Sequence, residues 1–166
     1  MPAIQAGVKA PDIKLPLLDG REFSLSHARQ RGPVVVAFFK VSCPVCQFTF
    51  PYLERIYQAY GKSGKATIVG VSQDNAKDTM AFNLNFGISF PTLLDETGKY
   101  PASNAYRITS VPSIFLVSPE GEVDLSIVGW SRQEMEELGR TLANVTGDTL
   151  VPIVRTGEKV QDYKPG

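Results

Sequence analysis

Cysteine and histidine are scarce in this chain: Cys43, Cys46 and a single His27 in 166 residues. A structural zinc site closes with about four such ligands. These three, with His27 far upstream in a polar Ser-His-Ala-Arg segment, do not supply one. An excess of charge is missing too, because seventeen basic and seventeen acidic residues cancel to a net charge of +0. Neither sign gathers into a long block, and a nucleic-acid duplex is held through a basic footprint, so no nucleic-acid partner is expected. No run approaches the ~20 apolar residues that cross a bilayer, so no membrane partner is expected either. The stretch from Met1 to Lys9 lacks the basic segment and apolar core of a secretory leader. The expectation is a cytoplasmic protein, or a periplasmic one if a leader preceded this numbering. A reducing cytoplasm disfavours a structural disulfide and leaves a catalytic or sensing dithiol as the reading of the two cysteines. Internal repeats and low-complexity tracts are absent.

What is present is an ordinary globular composition, 43% hydrophobic and 20% charged. This length fits one domain, expected over residues 10–146. Residues 1–9 read as a flexible or loosely docked arm. Residues 147–166 read as a tail, with Thr149 to Val154 extended along the domain and Gln161 to Gly166 mobile. Asp19-Gly20 marks the turn of an N-terminal β-hairpin, after which Ser24 or Ser26 caps a brief helical turn. Gly32-Pro33 launches a strand to Phe39. Further strands are predicted over 66–72, 90–95, 113–117 and 123–129. Helices are predicted from Cys43 to about Tyr60, over 76–86 with Asp74 or Asn75 as its cap and Gly87 as its end, from Pro101, and from a Ser131 cap with Leu138, Leu142 and Val145 as its apolar stripe. Pro51 inside the first long helix removes one backbone hydrogen bond. The class is α/β, a central mixed β-sheet flanked by helices.

The chain is organised around the stretch from Val34 to Gln47. Val34 to Phe39 is apolar without polar alternation, as in a strand buried on both faces. It stops at Cys43-Pro44-Val45-Cys46, where a helical pattern starts. That junction lies at the sheet edge where open α/β folds bind ligands. A helix N-terminus offers unpaired N–H groups and a positive dipole end, which favours a thiolate there. Cys43 is therefore the candidate nucleophile. Pro44 suits the first helical position, where its missing N–H costs nothing. Cys46, about one turn on, is near enough to attack a mixed disulfide formed on Cys43. Soft thiolates also suit copper(I), so a non-enzymatic copper-binding or carrier module stays open beside redox cycling. Lys40 is a candidate support for a Cys43 thiolate, against the plainer reading of a solvated surface lysine. Asp95 and Glu96 are candidate proton relays if their loop reaches the site.

Ala37-Phe38-Phe39 before the cysteines, Phe50-Pro51-Tyr52-Leu53 after them, Val111-Pro112-Ser113-Ile114-Phe115-Leu116-Val117 and the turn Ser118-Pro119-Glu120-Gly121 form an ordered set. With it the chain resembles the thioredoxin superfamily over roughly residues 10–145. It is most similar to the redoxin branch of TlpA/ResA-like thiol-disulfide oxidoreductases and alkyl-hydroperoxide-reductase/thiol-specific-antioxidant (AhpC/TSA) proteins. The resemblance implies a thioredoxin-like fold with the hairpin as an N-terminal extension. It also implies a cis Val111-Pro112 bond whose loop faces the cysteines and presents the Val111 backbone to an extended partner. The implied reaction exchanges electrons with a disulfide-containing protein or small thiol substrate. It needs no cofactor and is served by a thioredoxin-type donor. Ala37 stands where thioredoxins carry a buried Asp, and Ser42 where they carry Trp, so proton transfer to Cys46 needs another group or water. The alternative is a thiol peroxidase. Against it, Val36 and Lys40 occupy the Pro and Thr/Ser positions of the peroxiredoxin motif, and Pro112 occupies its Arg position.

Overall fold

The computed structural model describes residues 2–166. Along the chain run β1 (Lys14–Pro16), β2 (Glu22–Ser24), α1 (Leu25–Ala28), β3 (Val34–Phe39), α2 (Pro44–Ile56), β4 (Thr67–Ser72), α3 (Ala76–Phe86) and β5 (Thr92–Leu94). After them come α4 (Pro101–Ala105), β6 (Ser113–Val117), β7 (Val123–Val128), β8 (Trp130–Ser131), α5 (Arg132–Thr146) and β9 (Tyr163–Lys164). All six residues of β3 are buried. Val35, Ala37 and Phe39 face one apolar cluster while Val34, Val36 and Phe38 face another. A strand's two-residue period requires this when both faces are covered. Such a strand stands mid-sheet, and the order is β5-β4-β3-β6-β7. The pairs β3–β4 and β4–β5 are parallel, and β3–β6 and β6–β7 antiparallel. The register pairs Phe39 with Ser72 and Phe38 with Ser113. The end of β3, the end of β4 and the start of β6 therefore meet at one sheet edge.

Phe50, Leu53 and Ile56 of α2, Phe82 of α3, and Met135, Leu138 and Leu142 of α5 cover the first face. Each such side chain contributes about 1.5–3 kcal/mol on burial, and truncating Leu53 to Ala would cost about 2–5 kcal/mol. The hairpin, α1 and α4 cover the second face through Ile13, Leu15, Leu25 and Ala102. The helix from Pro44 ends in a π-helical turn, Tyr57–Gly61. On α5 the stripe falls on Met135, Leu138, Leu142 and Thr146, and Val145 is 53% exposed. Two successive steps of four residues lead from Leu138 through Leu142 to Thr146, which leaves Val145 off the stripe.

Both chain ends correct the sequence expectation. The N-terminal arm is firmly docked: Ala3 and Ile4 are buried in the second cluster. The Ile4 and Gly7 amides donate to Tyr106 O and Val123 O at 3.2 and 2.8 Å, and Val123 N–H donates to Val8 O at 2.9 Å. The arm thereby occupies donors and acceptors along the edge strand β7, which would otherwise be open. In the tail, Ile153 and Val154 are buried and Arg55 grips Glu158 with two hydrogen bonds of 2.7 and 2.9 Å. The segment expected to be mobile instead forms β9, antiparallel to β8. A local cause is the buried Trp130, whose indole N–H needs an acceptor and finds Gln161 O at 2.7 Å.

Candidate active site

Cys43 is the N-cap of α2, with extended backbone (φ −81°, ψ 114°), and Pro44 is the first helical residue. The Cys43 sulfur accepts the Cys46 N–H at 3.2 Å, one of the helix's unpaired donors. Its own S–H donates to Val111 O at 3.4 Å, and the Val111-Pro112 bond is cis. Cys43 thus sits between the mouth of α2 and the loop entering β6. The two sulfurs differ in surroundings: Cys43 is half-buried, and Cys46 is fully enclosed beside Phe39 and Phe50. Burial, and then the Cys43 side chain, pushes the Cys46 thiol pKa up, opposed by the backbone of Lys40.

The loop before Cys43 is clamped from two sides. Asp74 accepts the Val41 N–H at 2.8 Å, and Gln47 donates to Val41 O at 2.9 Å. Sequence reading missed both clamps. Asp74 looked like a helix cap, and Asn75 takes that role through a bond from the Asp78 N–H. Ser42, Pro44 and Lys40 are exposed, Val111 is half-buried and Pro112 is buried. Lys40 borders a cavity of about 220 Å³ together with Gln73, Tyr100, Ser103 and Val111. Tyr100 there has φ 47°, a left-handed conformation that costs a non-glycine residue of order 1–3 kcal/mol.

Among the described residues, neither Asp95 nor Glu96 is hydrogen-bonded to a cysteine. Asp95 is buried and accepts from Ala102 N, Ser103 N and Ser103 Oγ at 3.0, 2.8 and 2.6 Å, holding α4. Glu96 pairs with Lys99 at the surface. His27 is exposed, and no group of three or more metal-ligating side chains occurs among the described residues. Thr49, one turn beyond Cys46 on α2, is buried with its hydroxyl lacking a hydrogen-bond partner. Trp130 is a packing residue, in contact with Phe48 and Tyr52 at centroid distances of 5.1 and 4.9 Å.

The AhpC/TSA family model matches residues 6–126. The chain is 32% identical over 133 residues to the thiol-disulfide oxidoreductase ResA of Geobacillus thermodenitrificans, covering 80% of this chain and 74% of that protein. ResA of Bacillus subtilis is 30% identical over 134 residues, covering 80% and 73%. Among solved structures, the thioredoxin domain of a thiol-disulfide oxidoreductase from Bacteroides vulgatus superposes with a TM-score of 0.74 at 26% identity. That match covers 87% of this chain and 99% of that one. A thiol:disulfide interchange protein from Bacteroides sp. gives a TM-score of 0.72 at 26% identity, covering 89% and 93%.

Proposed function

Because the chain belongs to the AhpC/TSA family and has a thioredoxin-like fold, we propose that Cys43 and Cys46 carry its thiol-disulfide oxidoreductase activity. Cys43 is the attacking sulfur and Cys46 the resolving one. The observation that supports this assignment is the placement of Cys43. It is the less buried of the two sulfurs, and it lies between the Cys46 N–H and the Val111 carbonyl.

In the reducing direction, the Cys43 thiolate attacks one sulfur of a substrate disulfide. A Cys43–substrate bond forms and the other substrate sulfur leaves as a thiolate. The Cys46 N–H is aimed at the sulfur that carries the negative charge before this attack. Cys46 then loses its proton and attacks Cys43, expelling the second substrate thiolate and leaving a Cys43–Cys46 disulfide. Two electrons have moved to the substrate, and a thioredoxin-type dithiol donor restores the pair. The half-buried Val111 backbone at the cis bond offers an edge along which an extended substrate can lie. Ser42 and Pro44 border Cys43 in the chain and are open to such a partner.

Replacing the resolving sulfur tests the assignment. Cys46→Ser is expected to accumulate a covalent adduct with a disulfide-bonded protein, resolved by non-reducing electrophoresis, and Cys43→Ser to form none. Equal trapping by both variants would reverse or abolish the roles.

A further inference from the structure

Among the described residues, one flank of Val111 is covered by the chain and the other faces a cavity. Across the sheet order, Val111 leads into β6, with β3 and β4 on one side and β7 on the other. Beyond β7 the chain segment 161–166 is strapped down. β9 pairs with β8, Arg132 N–H donates to Asp162 O at 2.9 Å, and Lys164 Nζ lies 4.8 Å from the centre of the Phe48 ring. The strap reaches the loop itself. A methyl added at Gly166 would stand 2.8 Å from Val111 O, and one at Gly129, where φ is +73°, 2.5 Å from Lys164 O. On the opposite flank, over the ends of β3 and β4, lies the cavity bounded by Lys40, Gln73, Tyr100, Ser103, Asn104 and residues 108–111.

The chemistry of that cavity is one-sided. Lys40 brings a cation, no carboxylate belongs to the lining, and among the described residues Lys40 forms no ion pair. Gln73 donates to Ser103 Oγ at 2.9 Å and Ser103 donates to Asp95. The Asp95 charge is thus enclosed behind the wall and met by three donors. Asp74 is likewise engaged with Val41 and stands outside the lining. At about 220 Å³ the space is below the ~300–1,000 Å³ of sites for free small molecules and suits one side chain.

The geometry points to a specificity pocket: an acidic side chain adjoining the reactive cysteine of an extended protein substrate enters this cavity and meets Lys40. The inference rests on the oxidoreductase reading above. Three otherwise identical peptides test it. Each carries one cysteine as a mixed disulfide with a chromogenic aromatic thiol, and the residue beside that cysteine is Glu, Gln or Lys. Attack by Cys43 of the pre-reduced protein joins its sulfur to the peptide and releases the aromatic thiolate, which is read directly. The Glu peptide should react about two- to fivefold faster than the Lys peptide, as for one exposed ion pair, and the gap should shrink at high salt. Lys40→Glu should reverse the order. Each ratio is taken within one protein, so any change in the reactivity of Cys43 itself cancels. Equal rates for the three peptides, or an unchanged order in Lys40→Glu, would overturn the pocket while the measured thiol exchange leaves the oxidoreductase reading standing. No release from any peptide would remove both. A Lys40 effect confined to oxidised glutathione would overturn the protein-substrate assignment in favour of a small acidic disulfide.

Discussion

The unequal surroundings of the two sulfurs dictate how resolution depends on pH. Cys46 has no exposed surface, and burial, reinforced by the Cys43 side chain, raises its thiol pKa. Only the thiolate attacks. An ordinary thiol with a pKa near ~8.5 is about 3% ionised at pH 7, and each further tenfold loss of thiolate adds ~1.4 kcal/mol to the barrier of the resolving step. When the pKa lies well above the pH, thiolate grows tenfold per pH unit. From pH 7 to pH 9.5 resolution should therefore accelerate ~300-fold without levelling, whereas an ordinary thiol would give ~30-fold and flatten near pH 8.5. Rapid mixing of the reduced protein with an aromatic disulfide separates the steps. On the proposed roles the first thiolate released reports attack by Cys43, and the second reports its displacement by Cys46. Cys46→Ser should abolish the second phase alone. A second phase that flattens near pH 8.5, or ignores pH, would refute the link between enclosure and slow resolution.

The same raised pKa acts on stability. In the unfolded chain Cys46 ionises near ~8.5 and in the fold only at higher pH, so the contribution is complete below ~8.5 and is lost as pH rises toward the folded value. Urea unfolding of the reduced protein should show stability falling by up to ~1.4 kcal/mol per pH unit above about pH 8.5 relative to Cys46→Ala; parallel curves would refute this. Glu158 behaves in the opposite sense. The hydrogen bonds from Arg55, and then the Arg155 backbone N–H, hold its pKa down at about 2, so the latch it forms is present at neutral pH and is released as pH falls through that value. Glu158→Gln should speed amide hydrogen exchange along residues 155–164 at neutral pH and leave β3 and β4 unchanged; unaltered exchange in the tail would show that Arg55 does not hold it. The unpartnered Thr49 hydroxyl is a buried polar group without compensation. Thr49→Val should raise stability by about 1 kcal/mol and the thermal midpoint by ~2–4 °C, and a lower midpoint would mean that the hydroxyl is bonded.

How much of this was legible in the sequence depends on how local each signal is. The run from Val34 to Phe39, the hairpin turn at Asp19-Gly20 and the caps Ser24 and Ser131 announce themselves within a few residues, and each takes its expected place. The relation of Cys43 to α2 is local in the same way. The docking of the two ends is not local. Ile4 meets Tyr106 and Arg55 meets Glu158 across about a hundred residues of chain, and neither segment has a period that names its partner. Sequence composition around residues 161–166 reads as a mobile end because nothing nearby reveals that Trp130, buried by Phe48 and Tyr52, will need Gln161 as an acceptor. The Asp74 clamp was hidden because Asp and Asn adjoin there and either suits a helix cap.

The spacing of the two cysteines acquires a structural meaning from the cap. Cys43 is the N-cap, Pro44 and Val45 fill the first two helical positions, and Cys46 is the third. An N-cap side chain accepts from the second or third helical amide, and Pro44 removes only a donor that no intrahelical acceptor would meet. The sulfur proposed to attack substrate is therefore hydrogen-bonded to the backbone of the residue proposed to displace the product. Moving the second sulfur one position either way would rotate it about 100° around the helix, to the place of Val45 or of Gln47. Both are only partly buried, and Gln47 is committed to Val41. With two intervening residues, and not one or three, the second sulfur enters the core beside Phe39 and Phe50 while its amide stays on Cys43. One choice of spacing thus yields an accessible sulfur, an enclosed one and the hydrogen bond that joins them.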